Sequence, residues 1–300
     1  MRIFRRLIMA LFLVSLVLYL GVYFWESRNT DTSGPEITSS VEVLELSVSD
    51  GEDALLAELS AYDDKDGDLT DDIMLRETSF FVEPGEFTAE YVVFDSDGNS
   101  AVLSRKVCYT DYTSPVFSTA GSLYFVSGTS ADIMDSISAS DVLDGDLSDR
   151  IDLVSGSVDT DAVGQYLITI AVTNSYGDRA EVQTYVLIGE TRVQYGVILT
   201  DSFAYLDVGD TFDPSAYIQS YVDTDGEELE IEDMALYRDE EEVGTISTNG
   251  RVDTETAGNY LVEYTWSDEA DSDGEEDEDG EDIVEAEDSM SVWLTVIVRE

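Results

Sequence analysis

A thirteen-residue signature occurs twice without a gap. Ala61-Tyr62-Asp63-Asp64-Lys65-Asp66-Gly67-Asp68-Leu69-Thr70-Asp71-Asp72-Ile73 and Ala139-Ser140-Asp141-Val142-Leu143-Asp144-Gly145-Asp146-Leu147-Ser148-Asp149-Arg150-Ile151 both read A-x-D-x-x-D-G-D-L-[ST]-D-x-I, 78 residues apart. A fixed period of this size makes each copy one structural unit. A second signature links a further unit. Gly156-Ser157-Val158-Asp159-Thr160, then Gly164-Gln165-Tyr166-Leu167, parallels Gly250-Arg251-Val252-Asp253-Thr254, then Gly258-Asn259-Tyr260-Leu261. The first unit keeps the end of this step as Pro84-Gly85-Glu86-Phe87, and Asp223-Thr224-Asp225-Gly226-Glu227 is a worn copy of the acidic turn.

Each glycine-aromatic step opens a run that alternates with period two: Phe87, Ala89, Tyr91, Val93; Tyr166, Ile168, Ile170, Val172; Tyr260, Val262, Tyr264, Trp266. Alternation of this kind marks a strand with one face in a core. Gly164 and Gly258 are expected to start these strands from a backbone conformation that only glycine adopts, with the Tyr166 and Tyr260 rings buried. Short strands and Gly, Asn, Asp and Ser turns in units of about 80 residues predict antiparallel β-sandwiches.

Residues 7–25 carry no charge and are long enough to cross a bilayer. Arg2, Arg5 and Arg6 precede them and the first acidic residue is Glu26, so the positive-inside rule puts the amino terminus in the cytoplasm and the remainder outside. A cleaved, secreted form is the alternative. The apolar core is longer than a signal peptide's, and Val22-Tyr23-Phe24-Trp25 offers no small-x-small cleavage site.

The chain holds 67 acidic residues, 14 basic ones and a net charge of −53. Nucleic acid is excluded as a partner by that sign, because binding it needs Lys and Arg to neutralise phosphates. Histidine is absent and Cys108 is the only cysteine. Ser-His-Asp and Cys-His catalysis, the usual zinc ligand sets and an intrachain disulfide framework are therefore excluded. Of the 21 residues 268–288, 14 are acidic, which predicts a solvated, disordered loop.

Together the D-G-D-L turn, the G-x-V-D-T step and the Asp95-Ser96-Asp97-Gly98-Asn99 turn before a last strand resemble the bacterial immunoglobulin-like repeats of surface and secreted proteins, of the pesticidal-crystal-protein type. The resemblance implies an all-β fold of three tandem immunoglobulin-like β-sandwich domains after one N-terminal transmembrane helix, and it brings no shared catalytic activity. The expected organisation is a cytoplasmic tip and signal anchor at 1–25 and a linker at 26–34. Domains at 35–110, 111–190 and 191–300 follow, the last carrying the acidic loop.

Two chemistries stay open for the acidic turns. Asp63, Asp66, Asp68, Asp141, Asp144 and Asp146 are candidate calcium ligands, although no D-G pair fits the EF-hand spacing. Alternatively their carboxylates bond nearby backbone amides and serve the turns alone. The expected function is a spacer, adhesion or protein-interaction module at the cell surface, held in the membrane through residues 7–25, with a surface protein or the cell wall as partner and no catalysis. An envelope glycan-active enzyme or inhibitor using carboxylates is the alternative.

Overall fold

The computed structural model describes residues 2–29, 32–129, 132–268 and 291–300. All but the first residue of the acidic run 268–288 lies outside the described residues. Helix α1 (Arg2–Asn29) contains an apolar stretch, Phe4–Phe24, long enough to cross a membrane, and none of it is buried against the rest of the chain. The chain divides into two compact units, 1–112 and 113–300.

In the first unit the strands are β1 (Glu36–Ser39), β2 (Val43–Leu46), β3 (Leu59–Asp63), β4 (Gly67–Asp68), β5 (Met74–Thr78), β6 (Glu86–Phe94) and β7 (Ser100–Tyr109). They form two sheets, ordered β1-β3-β4 and β2-β7-β6-β5, with β2 running parallel to β7 and the other pairs antiparallel. The alternation read from sequence sets the core: Phe87, Ala89, Tyr91 and Val93 all point into it, together with Ile37, Leu59 and Ala61 from the facing sheet.

Arg105 on β7 is also buried there, at 4% exposure. Its guanidinium lies 5.1 Å from the centre of the Tyr91 ring and donates to the carbonyls of Leu55 and Ala57, both at 2.8 Å, and to the Ser39 and Tyr91 hydroxyls. The Tyr91 hydroxyl donates in turn to the Leu55 carbonyl at 2.7 Å. Among the described residues no carboxylate pairs with this cation. A buried charge needs hydrogen-bonding partners, and here backbone carbonyls of the segment between β2 and β3 provide them.

The second unit opens with a repeat of the same plan. It contains β8 (Val116–Thr119), β9 (Tyr124–Val126), β10 (Ile137–Asp141), β11 (Gly145–Asp146), β12 (Asp152–Ser155), β13 (Gly164–Thr173) and β14 (Arg179–Gly189), in sheets β11-β10-β8 and β12-β13-β14-β9. The third repeat departs from it. Its strands β15 (Gly196–Leu199), β16 (Phe203–Asp207), β17 (Ile218–Val222), β18 (Glu228–Glu232), β19 (Ala235–Arg238), β20 (Glu241–Asn249), β21 (Gly258–Asp268) and β22 (Val292–Arg299) join in one eight-stranded sheet, β15-β17-β18-β19-β20-β21-β22-β16. Two tight hairpins make the bridge. Asp233-Met234 and Asp239-Glu240 each have positive φ at both central residues, the backbone of a two-residue type I′ turn.

The G-x-V-D-T step has a different anchor from the one expected. Gly156 and Gly250 carry the left-handed backbone, with φ of +94° and +120°, and a Cβ there would sit 2.5 and 2.4 Å from the carbonyl oxygens of Leu167 and Leu261. At Gly164 and Gly258 the nearest atom to an added Cβ is 3.7 Å away; Gly164, at φ +156°, has the expected glycine-favouring backbone, and Gly258 does not. The most constrained glycines are thus the first of each motif, which lie flat against the neighbouring strand. Tyr166 and Tyr260 are half-buried against their cores, and each hydroxyl donates four residues back, to Ala162 at 2.9 Å and Thr256 at 2.8 Å. That is the tyrosine corner of immunoglobulin-type sandwiches, which ties the loop to the strand it enters.

Within the second unit the two repeats share an interface. Phe203 on β16 belongs to the second repeat's core, where its ring lies 5.8 Å from Phe117. Tyr185 stacks on Trp293 with ring centres 4.4 Å apart, and the Trp293 indole donates to Gln165 at 2.8 Å. Thr295 donates to the Gln183 carbonyl and Asn259 to the Glu181 carbonyl. This explains why Thr169, Ala171 and Leu187 are buried although they alternate with core residues: the outer face of β13 and β14 is covered too.

Asp201 closes the same junction. One carboxylate oxygen accepts the Thr119 amide at 3.0 Å, the Thr119 hydroxyl at 3.0 Å and the Phe203 amide at 2.9 Å. Burial pushes its carboxyl above the ordinary aspartate range, against the pull of those bonds. A raised folded-state value means that the protonated form is favoured, so this group's contribution is full below about pH 3.9 and is lost as pH rises through the folded value. Asp201→Asn keeps the accepting oxygen and removes the charge. Thermal melts between pH 3 and 8 are expected to show an equal or higher Tm at pH 7 and a smaller decline from acid to neutral; a marked fall at pH 7 would contradict the assignment.

Candidate functional site

The six aspartates of the repeated signature occupy equivalent places in the first two repeats, and each has the same task in both. Asp63 accepts the amides of Lys65 and Asp66 at 2.8 and 3.0 Å; Asp141 accepts those of Leu143 and Asp144 at 3.0 and 2.6 Å. Gly67 and Gly145 then turn the chain with φ of +83° and +73°. Asp68 and Asp146 each accept the amide two residues on, from Thr70 and Ser148, both at 3.0 Å. Those hydroxyls accept the amides of Ala61 and Ala139, both at 3.1 Å, which fixes the turn to its strand. Leu69 and Leu147 fill the core beneath.

Asp66 and Asp144 reach a second turn. The amide and hydroxyl of Ser96 donate to Asp66 at 2.9 and 2.8 Å, and those of Ser175 donate to Asp144 at 2.8 and 2.7 Å. This second turn, Asp95-Ser96-Asp97-Gly98-Asn99 or Asn174-Ser175-Tyr176-Gly177-Asp178, is built on its first side chain, whose oxygen accepts the amides two and four residues on. Asp223 combines the two forms. It follows β17 as Asp63 follows the body of β3, but accepts the amides of Asp225 and Glu227 in the manner of Asp95.

At four of these carboxyls, those of Asp68, Asp95, Asp144 and Asp146, the bonds favour the ionised form. The Thr70 and Ser148 side chains, then their amides, bring Asp68 and Asp146 below the ordinary carboxylate range. For Asp144 and Asp95 desolvation opposes the shift, but the bonds from Ser175 and Arg150, and from Asn99 and the turn amides, outweigh it. A lowered folded value stabilises the native state above about pH 3.9 and is lost as acid titrates the folded group. Among the described residues no three acidic side chains converge to form a metal cage. The sequence places the six candidates in two turns and marks the Asp95–Asn99 turn, while its counterpart in the second repeat, Asn174 and Ser175, was not singled out. Aligning Asp95 with Asn174 after the shared signature would have marked that position.

Cys108 is half-buried and lines a pocket with Val43, Val82, Phe87 and Lys106. Burial, with smaller effects of Glu86 and Glu45, pushes its thiol up, which disfavours the thiolate.

Residues 122–188 match the family described as bacterial surface protein, Ig-like domain. The pesticidal crystal protein Cry22Aa of Bacillus thuringiensis is 28% identical over 162 residues, which cover 52% of this chain and 21% of that protein, so the chain spans about a fifth of the relative it matches. Two similar solved structures are a carbohydrate-binding and INT-domain fragment of Clostridium perfringens ZmpB and the protocadherin gammaB4 extracellular domain. The first is 19% identical and covers 50% of this chain and 27% of that one, with a TM-score of 0.22. The second is 11% identical and covers 90% and 52%, with a TM-score of 0.20. TM-scores this low carry no weight for function. The family match falls on the second repeat, from just before β9 to within β14, and this all-β chain accordingly carries a bacterial surface Ig-like domain.

Proposed function

We propose that this protein is a single-pass membrane protein whose sandwich repeats stand outside the cell as a non-catalytic spacer and interaction module. The observation that carries the proposal is the order of the chain: three arginines, an uncharged apolar helix over Phe4–Phe24, and then β-sandwich repeats that include a surface Ig-like domain. Net charge supports the interaction class, since a chain at −53 overall is soluble and repels polyanions but accepts cations and basic protein patches. The acidic turns support it as well. Their carboxylates are engaged in holding the backbone amides and serine hydroxyls of the turns, and with no histidine in the chain none of those serines has the base that acyl transfer requires.

The partner is expected to be another surface protein or a cell-wall component. A peroxidase fused after Glu300 on intact cells is expected to label a reproducible set of envelope proteins. Labelling confined to cytoplasmic proteins would contradict the orientation, and glycan turnover abolished by a single carboxylate substitution would contradict the non-catalytic role.

A further inference from the structure

The second and third repeats pack on one another through the same face. Gly164 and Gly258 open β13 and β21, so residues can be matched by their distance from that glycine. Asn259 then stands where Gln165 does, and the strand registers match Ser291, Trp293 and Thr295 with Glu181, Gln183 and Tyr185. The contacts across the interface come in reciprocal pairs. Gln165 donates to the Ser291 hydroxyl at 2.9 Å, and Asn259 donates to the Glu181 carbonyl at 3.0 Å. Tyr185 stacks on Trp293, and Thr295 donates to the Gln183 carbonyl at 2.7 Å. Each position thus meets, in the other repeat, the counterpart of the residue that meets it. A two-fold interface has this property, because one patch is then its own complement.

The first repeat has the same face. Counted from Gly85, Glu86 stands for Gln165, and Val102, Ser104 and Lys106 on β7 stand for Glu181, Gln183 and Tyr185. Here the face carries exposed apolar side chains. Met74, Val92 and Val102 lie side by side across β5, β6 and β7, and Met74 and Val102 are each 50% exposed. At the centre of the face the charges balance, although the chain as a whole stands at −53. Glu86 and Glu90 on β6 are set against Lys106 on β7 and against Arg76, which pairs with Glu90 at 2.6 Å; Glu45 and Glu77 lie on the flanking edge strands. So acidic a chain can associate with itself only where like charges do not meet, and the centre of this face meets that condition.

We propose that two copies of this chain pair through the outer face of β6 and β7, in the two-fold manner of the second and third repeats. The occupant is a second copy because the corresponding faces within the chain are already used on each other. The observed contacts fix the register. Gln165 meets both Ser291 and Trp293, so Glu86 of one copy faces Val102 and Ser104 of the other; Tyr185 meets Trp293, so Lys106 faces Ser104. This pairing goes beyond the membrane orientation and envelope partner proposed above and does not depend on either.

Sedimentation equilibrium of the full chain in density-matched detergent tests the proposal, and the wild type is expected to show a monomer–dimer equilibrium. Val102→Glu sets a carboxylate against Glu86 of the other copy and is expected to weaken the dimer about tenfold. Adding Glu86→Lys is expected to restore it, since each copy then offers a cation to the other's carboxylate. Within one copy Glu86 pairs with Cys108 and Val102 with Val92, at opposite ends of the two strands, so an ion pair inside one chain cannot account for the rescue. Val142→Glu adds the same charge at an exposed position of the second repeat and is expected to leave the dimer unchanged. A chain that stays monomeric up to about 0.1 mM would overturn the proposal. So would a dimer indifferent to Val102→Glu, or a loss that Glu86→Lys fails to restore. Glu86→Lys alone tightening the dimer as much as it does beside Val102→Glu would also overturn it, because relief of general repulsion would then explain the rescue.

Discussion

Gly156→Ala and Gly250→Ala are each expected to destabilise the second unit by about 3–5 kcal/mol. Two costs combine. A Cβ at φ of +94° or +120° occupies a backbone region that L-residues rarely adopt, worth about 1–3 kcal/mol. The same atom would lie 2.5 or 2.4 Å from a strand carbonyl, and that carbonyl is backbone, held by β13 or β21, so it cannot rotate away as a flexible side chain would. Gly258→Ala is the control. Its Cβ meets only its own Tyr260 ring at 3.7 Å, and the loss of unfolded-chain freedom is expected to leave stability unchanged or raised by about 0.4–1 kcal/mol. Urea unfolding followed by Trp266 and Trp293 fluorescence reads both results. Equal effects at Gly250 and Gly258 would show that the motif's first glycine is not the anchor.

Arg105→Ala is expected to cost the first unit about 3–4 kcal/mol, the second large effect. The substitution opens a cavity beside Tyr91 and strips the Ala57 carbonyl of its donor in a place water does not reach freely. Tyr91→Phe tests the same network more gently. It removes the bond to the Leu55 carbonyl and the hydroxyl that accepts from Arg105 at 3.1 Å, and is expected to cost about 1 kcal/mol. The unfolding transition seen by circular dichroism but not by tryptophan fluorescence of the second unit reports both. An Arg105→Ala chain as stable as the parent would mean that the segment between β2 and β3 holds its carbonyls by other means.

These two sites also show what the sequence made legible. Period-two alternation located β6, β13 and β21 and named their core residues, because one buried face imposes that pattern directly. The D-G-D-L signature located its turn because glycine and aspartate are the residues such a turn needs. Arg105 was invisible, since a charge within an alternating strand reads as an outward position until its partners are known. The glycine assignment held for the backbone of Gly164, failed for Gly258 and missed Gly156 and Gly250, for a related reason. Sequence marks where a strand begins, but the close approach of Gly156 to Leu167 is a contact between segments. The burial of Thr169 and Ala171 likewise depends on a neighbouring repeat, and the single sheet of the third repeat depends on two I′ turns at Asp-Met and Asp-Glu pairs, which lack the usual Asn-Gly signal.

The central claim is that an uncleaved helix holds the repeats outside the cell, and the direct measurement is protease treatment of intact, wall-stripped cells followed by mass analysis of what stays in the membrane. The untreated membrane fraction is predicted to contain the full 33.1 kDa chain, and protease is predicted to remove the sandwich repeats and leave a short stub beginning near Met1. A soluble chain beginning after Trp25, or a membrane chain untouched by protease until the cells are opened, would contradict it.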